Sequence, residues 1–473
     1  MANFFINIIR FIVSILLTLG IVQSPYAQYT PIENRVYTDG ELNVEPDTSK
    51  YIKITAEDEG FDIYNPEEGA SFGYRYGPSM IMNADGSIDA YFSAPGCVEE
   101  WDWITYRHSP DGGKTWTEEK SVLQPTPASE DFFSCCDPGV VKFGDYYYLG
   151  YTSTVVDGGV DNNVFVARSK NPDGPFEKWN GNGWGGKPEP IVVFTGNPER
   201  YGAGEPSMVV VDDTLYLYYT WRDDDVNQTH VAVADATDEN WPLTLENKGI
   251  AMRHVYNDFN AMDSADVKYV EDYGKFIAVV TCDRFTTDSF VGVYVSDDGI
   301  NFRESDAMKT NISHCCHNIG ITGRPDGHIR LSDDIYVAYA YGDQWAYWPT
   351  RMNKVNLSLV DNPDFSDINN ENVKTPVDFV KVGMFANYIG ITTESRVYEL
   401  SLSDTFNSEK IIVLKADTRL ELRKVRDDVT FNGYDKEIIE IKGKRVYPKA
   451  VGKTYVTAEW EGHTAVFQVV VTE

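Results

Sequence analysis

The chain repeats one pattern: an apolar strand, a turn rich in Asp or Gly, and a second apolar strand. In DPGVVKFGDYYYLGYTS, which begins at Asp137, the Gly144-Asp145 pair separates two apolar runs and predicts a hairpin. A self-similar unit of this length is the signature of a repeat architecture. The five repeats open, at intervals of 60, 68, 58 and 54 residues, at Gly77, Asp137, Glu205, Asp263 and His317.

Each repeat continues with a third strand and another turn. The clearest example is ITYRHSPDGGKTW, residues 104–116, in which SPDGGKTW matches the S-x-D-x-G-x-T-W turn called an Asp box. Its Asp can accept hydrogen bonds from the turn backbone, so we interpret this motif as structural. Five four-stranded sheets around one axis make a five-bladed β-propeller. The predicted fold class is therefore all-β, with a five-bladed β-propeller followed by a small immunoglobulin-like β-sandwich.

The repeat openings are predicted to meet at one place. In a four-stranded antiparallel blade, the start of the first strand lies on the same face as the connection from the second strand to the third. The five openings should then surround the mouth of a central funnel. One polar residue there could simply start a strand, but three carboxylates and a histidine that converge favour chemistry. The predicted catalytic residues are Asp137, Glu205, Asp263 and His317.

Paired carboxylates suit hydrolysis of a glycosidic bond, which needs a protonated acid at the leaving oxygen and a carboxylate that activates water or attacks the sugar. Loops at the same mouth carry Trp side chains that could stack on sugars and Arg side chains that could bind hydroxyls or anions. The alternatives are packing between blades for Trp, ion pairs for Arg and a solvated loop surface for acids. The predicted substrate-binding residues are Arg75, Trp101, Asp102, Trp103, Trp221, Arg222, Arg284 and Trp345.

Three segments carry a family resemblance. DPGVVKFGDYYYLGYTS, GEPSMVVVDDTLYLYYTW and ARSKNPDGPFEKW resemble the five-bladed glycosidases of family 43 and their relatives, across residues 70–360. The resemblance implies an inverting hydrolase with an Asp base, a second Asp that tunes and orients, and a Glu acid. Glu205 would then be the acid, with Asp137 and Asp263 as the other carboxylates. Gly77 departs from the pattern, because it stands where the family usually has its base.

A second assignment follows from a further resemblance. The chain is also similar to the family 117 exo-hydrolases of red-algal agar fragments, which implies Asp, Asp and His in widely spaced blades, with His as the acid. Asp137, Asp263 and His317 follow that order. We prefer the first assignment because a tuned Glu is the commoner acid. Neither resemblance implies a required cofactor; the first leaves room for a structural calcium ion at the propeller centre, and no metal ligand is predicted.

The cysteines indicate cross-links. Cys135-Cys136 and Cys315-Cys316 are adjacent pairs, and we expect bonds such as Cys97 to the first pair and Cys282 to the second. The connectivity cannot be read from spacing. A zinc site is the alternative, which an oxidising compartment disfavours.

The ends of the chain have their own signals. Residues 11–22, FIVSILLTLGIV, follow a single Arg10 and precede QSPYA, which predicts a signal peptide cleaved after Ala27 and a secreted or periplasmic protein. Residues 28–69 are a lead-in, residues 70–404 the propeller, and residues 405–473 resemble a bacterial immunoglobulin-like group 2 domain. After cleavage, 40 basic residues would face 73 acidic ones, which argues against nucleic-acid partners.

The resulting prediction is a secreted glycoside hydrolase that trims terminal sugars from plant or algal cell-wall polysaccharide fragments. A β-xylosidase or α-L-arabinofuranosidase is favoured. The alternatives are an exo-hydrolase of agar- or ulvan-type oligosaccharides with a His acid, a non-catalytic glycan-binding propeller, and a sialidase-like or lyase propeller. The partner is an oligo- or polysaccharide, without nucleic acid or a membrane span. The sugar, its anomer and linkage, and the oligomeric state stay open.

Overall fold

The structure is a computed structural model that describes residues 32–33, 50–66, 73–96, 102–126, 129–156, 160–222, 227–253 and 264–362, and, towards the C-terminus, 388–393, 396–401, 411–415, 420–423, 430–442, 445–460 and 463–472. Every element in these ranges is a β-strand except one 3-10 helix, Trp241–Thr244. The all-β prediction is confirmed. None of the described helices is long and apolar enough to span a membrane.

Five arrays of four antiparallel strands, which we call blades 1 to 5, make up the larger part of the described chain. Their strands, from the first of each blade outwards, are Tyr76–Met82, Ile88–Pro95, Asp102–Ser109 and Lys120–Leu123 (blade 1); Cys136–Phe143, Tyr146–Val156, Val160–Ser169 and Glu177–Lys178 (blade 2); Gly202–Val211, Thr214–Arg222, Gln228–Asp235 and Glu246–Arg253 (blade 3); Ala265–Val270, Lys275–Cys282, Phe290–Ser296 and Arg303–Met308 (blade 4); and His317–Ile321, Ile335–Ala340, Thr350–Val360 and Tyr51–Ala56 (blade 5).

The outer strand of blade 5 comes from the lead-in. Tyr51–Ala56 pairs antiparallel with Thr350–Val360, with Ile54 opposite Leu357. The first strand of each blade contacts the first strand of the next, and that of blade 5 contacts that of blade 1. The N-terminal strand therefore completes a closed ring.

Short strands supplement the blades. They are Ile32–Glu33 paired with Val192–Val193, Gly73–Tyr74 paired with Tyr347–Trp348, Phe61–Tyr64 paired with Thr350–Val360, and His328–Ile329 paired with blade 4.

Apolar side chains from neighbouring blades pack face to face. The inner strands are buried on both faces, as in Lys275–Cys282, where all eight residues are buried. Such strands carry runs of β-branched and aromatic residues, which suit a pleated buried surface. Near the axis the backbones come so close that a Cβ on Gly139 would overlap the carbonyl oxygen of Pro206, and one on Gly320 that of Pro78. Glycine is therefore required at both positions.

The Asp box has the structural role predicted for it. Asp111 accepts hydrogen bonds from the backbone N–H and the hydroxyl of Thr115, both at 2.8 Å, and these bonds lower the pKa of Asp111. Trp116 donates from its indole to the carbonyl of Gly113 at 2.9 Å and packs against the core between blades 5 and 1.

A single segment, residues 323–329, crosses the end of the ring opposite the strand starts; we call it the floor segment. Its carbonyl groups accept hydrogen bonds from the last part of four first strands in turn. The donors and acceptors are Met82 to Gly323, Lys142 to Pro325, Val210 to Asp326, and Tyr269 to Gly327. The floor segment therefore ties blades 1 to 4 together and closes one end of the axis.

The C-terminal part forms two further sheets. Their strands are Tyr388–Thr393, Arg396–Ser401, Leu420–Arg423, Ile439–Lys442 and Arg445–Pro448 in one, and Ile411–Lys415, Thr430–Asn432, Gly452–Trp460 and His463–Thr472 in the other. Because Tyr388–Thr393 pairs with Leu420–Arg423, the first sheet extends to the N-terminal side of residue 405. An immunoglobulin-like topology for this part stays a prediction.

Candidate active site

The five blades bring their first-strand starts around one small cavity. Each blade contributes two or three consecutive residues from the start of its first strand or close to it. The first of these residues in each blade, which we call the ring positions, are Gly77, Asp137, Glu205, Ser264 and Asn318.

Four ring positions share an unusual backbone. The φ angles of Gly77, Asp137, Glu205 and Asn318 are 59°, 52°, 53° and 49°. The strand pairing shifts register at each of these four positions. A left-handed conformation is uncommon outside glycine, and bulges of this kind re-aim side chains next to functional sites. The two carboxylates are thus held in a backbone that ordinary strand starts do not need.

The floor segment supplies an independent check of this register. Its donors Met82, Lys142, Val210 and Tyr269 each stand five residues after a ring position, which agrees with Ser264 as the ring position of blade 4. In blade 5 the strand pairing shifts register after His317, and Asn318 rather than His317 lines the cavity. The predicted residues Gly77, Asp137 and Glu205 line the cavity, and His317 is followed by Asn318, which lines it instead. Asp263 itself lies outside the described residues.

Asp137 and Glu205 are built into the ring in the same way. The backbone N–H of Asp137 donates to Ser93 Oγ at 2.7 Å, and that of Glu205 donates to Thr152 Oγ1 at 2.6 Å. In each case the hydroxyl belongs to the second strand of the preceding blade. The two carboxylates therefore stand on backbones that are fixed by their neighbours, and Glu205 is only 8% exposed.

His317 lies beside the ring rather than in it. Its Nδ1 is 2.9 Å from Oδ1 of Asn318, and Nδ2 of Asn318 donates to Glu205 Oε1 at 3.3 Å. The imidazole is 1% exposed and is surrounded by aromatic rings. These are Phe285 and Trp348, each 4.4 Å away between ring centres, and Tyr76 at 6.5 Å.

Asp102 adds a third carboxylate near the ring. It is buried, and it accepts hydrogen bonds from the hydroxyls of Tyr74 at 2.6 Å and Tyr76 at 3.2 Å. Burial, followed by the charge of Asp102, by neighbouring Cys136 and by the charge of Asp137, raises the pKa of Tyr76 well above its usual value. The phenol is therefore held protonated as a donor. The same two carboxylates, after burial, raise the pKa of the Cys136 thiol, so Asp102 and Asp137 act on common neighbours.

The remaining predicted binding residues divide into two groups. Trp345 is 55% exposed and packs with Trp348 and Phe285, and Arg284 lies over the Phe285 ring, with 5.0 Å from its guanidinium carbon to the ring centre. These two extend the aromatic surface outwards from His317. Trp103 and Arg222 are half-buried at strand ends near the mouth, and Trp101 lies outside the described residues.

Two predicted binding residues have structural roles instead. Trp221 is 1% exposed and packs against Phe194 and His230 in the core between blades 2 and 3. Arg75 pairs with Glu119, donates to the carbonyl of Tyr74 and lies over the ring of Tyr64. For both, the packing or ion-pair alternative applies, because no sugar could reach Trp221 and the Arg75 guanidinium is engaged.

Sequence reasoning missed several contributors. Asp266 lines the cavity, yet its oxygens accept hydrogen bonds from Ser207, Lys268 and the backbone of Ile321, at 2.8, 2.5 and 2.8 Å. It therefore joins blades 3, 4 and 5 rather than facing a substrate. Asn318 and Tyr76 were also missed, although each is adjacent in sequence to a predicted ring residue, which was the available signal.

The expected disulfide at Cys282 is not formed, and this prediction is corrected. Among the described residues, no disulfide joins any two of Cys135, Cys136, Cys282, Cys315 and Cys316. Cys282 lies in the core between blades 3 and 4, whereas Cys316 lies in the core between blades 4 and 5. The other predicted bond involves Cys97, which is outside the described residues.

Zinc and calcium can be tested against the residues present. Zinc would need thiolates, but burial raises the thiol pKa of Cys136 and Cys282, and that of Cys315 to about 11. Among the described residues, three acidic, His or Cys ligand atoms come within 4.8 Å of one another at Glu271, Asp326 and His328, at the floor segment. The ring does not form such a group, so a calcium ion at the axis stays a prediction.

The cavity that the ring lines has a volume of about 30 Å³. That is room for one or two water molecules but not for a sugar ring. A sugar would therefore have to lie outside this cavity. The arrangement offers two carboxylates, those of Asp137 and Glu205, next to a pocket for water.

The fold is similar to those of solved glycoside hydrolases, at low sequence identity. An α-L-arabinofuranosidase from Podospora anserina in complex with cellotriose is 14% identical, covers 67% of this chain and 99% of its own, and has a TM-score of 0.45. A family 117 glycoside hydrolase from the marine bacterium Zobellia galactanivorans is 16% identical, covers 66% of this chain and 92% of its own, and has a TM-score of 0.43. A thermostable family-43 glycoside hydrolase is 16% identical, covers 66% of this chain and 94% of its own, and has a TM-score of 0.42.

Protein-family models give no match to the chain, and neither do curated proteins. The resemblance to families 43 and 117 that the sequence indicates is found again among the solved structures. Similarity of this degree does not define an activity, which has to be inferred from the residues of the chain itself.

Proposed function

We propose that the chain is a glycoside hydrolase that removes terminal sugars from plant or algal cell-wall polysaccharide fragments, with Asp137 and Glu205 as its paired carboxylates. The observation that carries this proposal is that both carboxylates, from neighbouring blades, line one water-sized cavity. Hydrolysis of a glycosidic bond needs this combination of an acid, a base and a positioned water.

In the proposed reaction the terminal sugar lies above the ring, against the aromatic rings of Phe285, Trp345 and Trp348. Asp137 accepts a proton from a water molecule in the cavity as that water attacks the anomeric carbon. Glu205 donates a proton to the leaving oxygen. Water that attacks from the cavity side gives inversion of configuration. Asp102, which accepts hydrogen bonds from Tyr74 and Tyr76, adds a second negative charge near Asp137.

The substrate class follows from the shape of the site and from the resemblance seen in the sequence. The floor segment closes one end of the axis, which supports access from the mouth alone. The long loops that follow the second strands would narrow this mouth, which favours action on chain ends. We propose a β-xylosidase or α-L-arabinofuranosidase activity. The solved α-L-arabinofuranosidase named above is compatible with this class but does not decide it.

A second candidate rests on His317. It is an exo-hydrolase of agar- or ulvan-type oligosaccharides in which His317, rather than Glu205, gives the proton to the leaving group. The contact between His317 Nδ1 and Asn318 Oδ1 favours this candidate, because a hydrogen bond at one ring nitrogen leaves the other to exchange a proton.

The test compares hydrolysis of xylo-, arabino-, agaro- and ulvan-oligosaccharides by the wild type, Asp137→Asn, Glu205→Gln and His317→Asn. We expect a loss of about a hundredfold or more with the base or the acid removed. On 2,4-dinitrophenyl glycosides, which need no proton at the leaving oxygen, the variant that lacks the acid should recover and Asp137→Asn should not. Recovery of His317→Asn rather than Glu205→Gln selects the second candidate. Binding without turnover by the wild type would overturn both in favour of a glycan-binding propeller.

Export is part of the proposal. The signal peptide, residues 1–27, lies outside the described residues, and the support for it is the apolar run followed by Ala27. Expression in a bacterium with N-terminal sequencing of the exported product should give Gln28 as the first residue. A retained Met1 in the purified protein would contradict the predicted cleavage.

A further inference from the structure

Three buried side chains form a chain of hydrogen bonds that joins the two candidate acids. His317 Nδ1 is 2.9 Å from Asn318 Oδ1, and Asn318 Nδ2 is 3.3 Å from Glu205 Oε1. The exposed fractions of His317, Asn318 and Glu205 are 1%, 7% and 8%. The amide of Asn318 therefore lies between groups that the reaction would use, at a place from which bulk water is excluded.

The chemistry of the amide gives this chain a direction. Oε1 of Glu205 accepts from the NH₂ group of Asn318 when the carboxyl group is ionised, and also when the group carries its proton on the other oxygen, Oε2. The carbonyl oxygen of Asn318 then faces His317 and can only accept, so Nδ1 of His317 carries a hydrogen. In the neutral imidazole this leaves Nε2 as the basic nitrogen. One amide thus sets both the tautomer of His317 and the orientation of the Glu205 carboxylate.

The backbone explains how two consecutive residues can serve one site. Side chains of successive strand residues normally point to opposite faces. Between His317 and Gly320 the pairing with the next strand shifts register, and Asn318 has a φ of 49°. Asparagine is among the few residues that tolerate this conformation. A ring position that holds a carboxylate in blades 2 and 3 thus carries a neutral amide in blade 5, beside Glu205.

We propose that Asn318 is a positioning residue that fixes the Nδ1–H tautomer of His317 and aims the carboxylate of Glu205. The proposal deepens the proposed function and rests on it for its kinetic consequence, but its structural content is independent of any activity. Asn318 acts through its two neighbours and transfers no proton itself. Asn318 also couples His317 to Glu205. If its amide were rotated by 180°, the NH₂ group would face His317 and the carbonyl oxygen would face Glu205.

The first test needs no substrate. In protein labelled with ¹⁵N-histidine, two-bond ring correlations report which nitrogen carries the hydrogen, and His317→Gln identifies the signal. We expect Nδ1–H for neutral His317 in the wild type and in Asn318→Asp, which keeps an acceptor. Asn318→Gly, which suits the left-handed backbone, should lose this preference. An Nε2–H tautomer of His317 in the wild type overturns the proposal, whether or not the protein hydrolyses sugars.

The second test is kinetic and uses a matched control. Asn311 also has a left-handed backbone, with φ 64°, and its amide donates to the carbonyl of Ala56 away from the ring. Asn318→Gly and Asn318→Asp should each lower kcat by roughly ten- to a hundredfold with KM within about threefold, whereas Asn311→Gly should leave both constants near wild type. Equal kcat in Asn318→Gly and Asn311→Gly would overturn the positioning role. Thermal melts of all variants separate this from a failure to fold.

Discussion

The backbone N–H of Glu205 donates to the hydroxyl of Thr152 at 2.6 Å, across the junction between blades 2 and 3. The same device joins Asp137 to Ser93 across the junction between blades 1 and 2, at 2.7 Å. Both hydroxyls are buried. Each carboxylate of the ring is thus positioned by the blade before its own, so the geometry of the site depends on how neighbouring blades pack.

Replacing Thr152 should therefore affect both folding and the site. Thr152→Val keeps the shape of the side chain but leaves the Glu205 N–H buried without this acceptor, which should lower the free energy of unfolding by about 1–3 kcal/mol. Thr152→Ser retains the hydroxyl and is the matched control. Urea unfolding and kcat/KM measure the two effects. Equal stability of the Val and Ser variants would show that the hydrogen bond does not hold the strand start.

Asp266 is predicted to be needed for stability rather than chemistry. It accepts hydrogen bonds from Ser207, Lys268 and the Ile321 backbone, and the Lys268 side chain is 5% exposed. Asp266→Asn would leave a buried ammonium without its counter-charge, which should lower the free energy of unfolding by about 3–5 kcal/mol. Adding Lys268→Met should restore a part of this loss.

The control for this prediction is an exposed pair. Lys120 and Asp173 are 2.9 Å apart with exposed side chains, so Asp173→Asn should change stability by at most about 1 kcal/mol. If the Asp266 and Asp173 variants were equally stable, the inter-blade role of Asp266 would be wrong.

Gly77, the ring position of blade 1, has no side chain. A carboxylate introduced there tests the role of Asp137 as the base. A Cβ at Gly77 would lie 3.6 Å from Asp137 Oδ1, an ordinary contact. Gly77→Asp should therefore place a second carboxylate beside Asp137 and disfavour the ionised pair. Because the base must be ionised to accept a proton, the acidic limb of the kcat/KM profile should move to higher pH, by roughly one unit. Gly77→Asn has the same backbone cost without the charge. An unchanged limb relative to that control would argue against Asp137 as the base.

The fold could be predicted from the repeat because each blade carries its own hairpin signal. The origin of the strand that closes blade 5 could not be predicted. Tyr51–Ala56 alternates buried and less buried residues, a pattern that would suit any half-buried edge. Only its pairing with Thr350–Val360 identifies it as the outer strand of the last blade.

The ring position could be predicted in blades 1 to 3, whereas in blade 5 His317 is predicted and Asn318 is found, for a physical reason. In blades 1 to 3 a proline follows the ring position and marks the register, whereas Ala265 and Ile319 follow it in blades 4 and 5. Without a proline to mark the register, the sequence predicts the chemically conspicuous His317 in place of Asn318. A better signal stands two residues after the ring position, where Gly139 and Gly320 must be small because the next backbone is so close.

His230, a buried histidine outside the site, should make the stability of the fold depend on pH. His230 lies in the core between blades 2 and 3, where burial lowers its pKa from 6.5 to about 3. The folded state keeps this imidazole neutral, but the unfolded chain takes up a proton below pH 6.5, so the associated stability is present above pH 6.5 and is lost as the pH falls towards 3. Between pH 7 and 5 the loss should be about 2 kcal/mol. Phe does not titrate, so the His230→Phe variant should not show this loss. Its free energy of unfolding in urea, relative to that of the wild type, should therefore rise by about 2 kcal/mol as the pH falls from 7 to 5. A difference between the two proteins that stays constant with pH would show that His230 protonates as readily in the folded state as in the unfolded one.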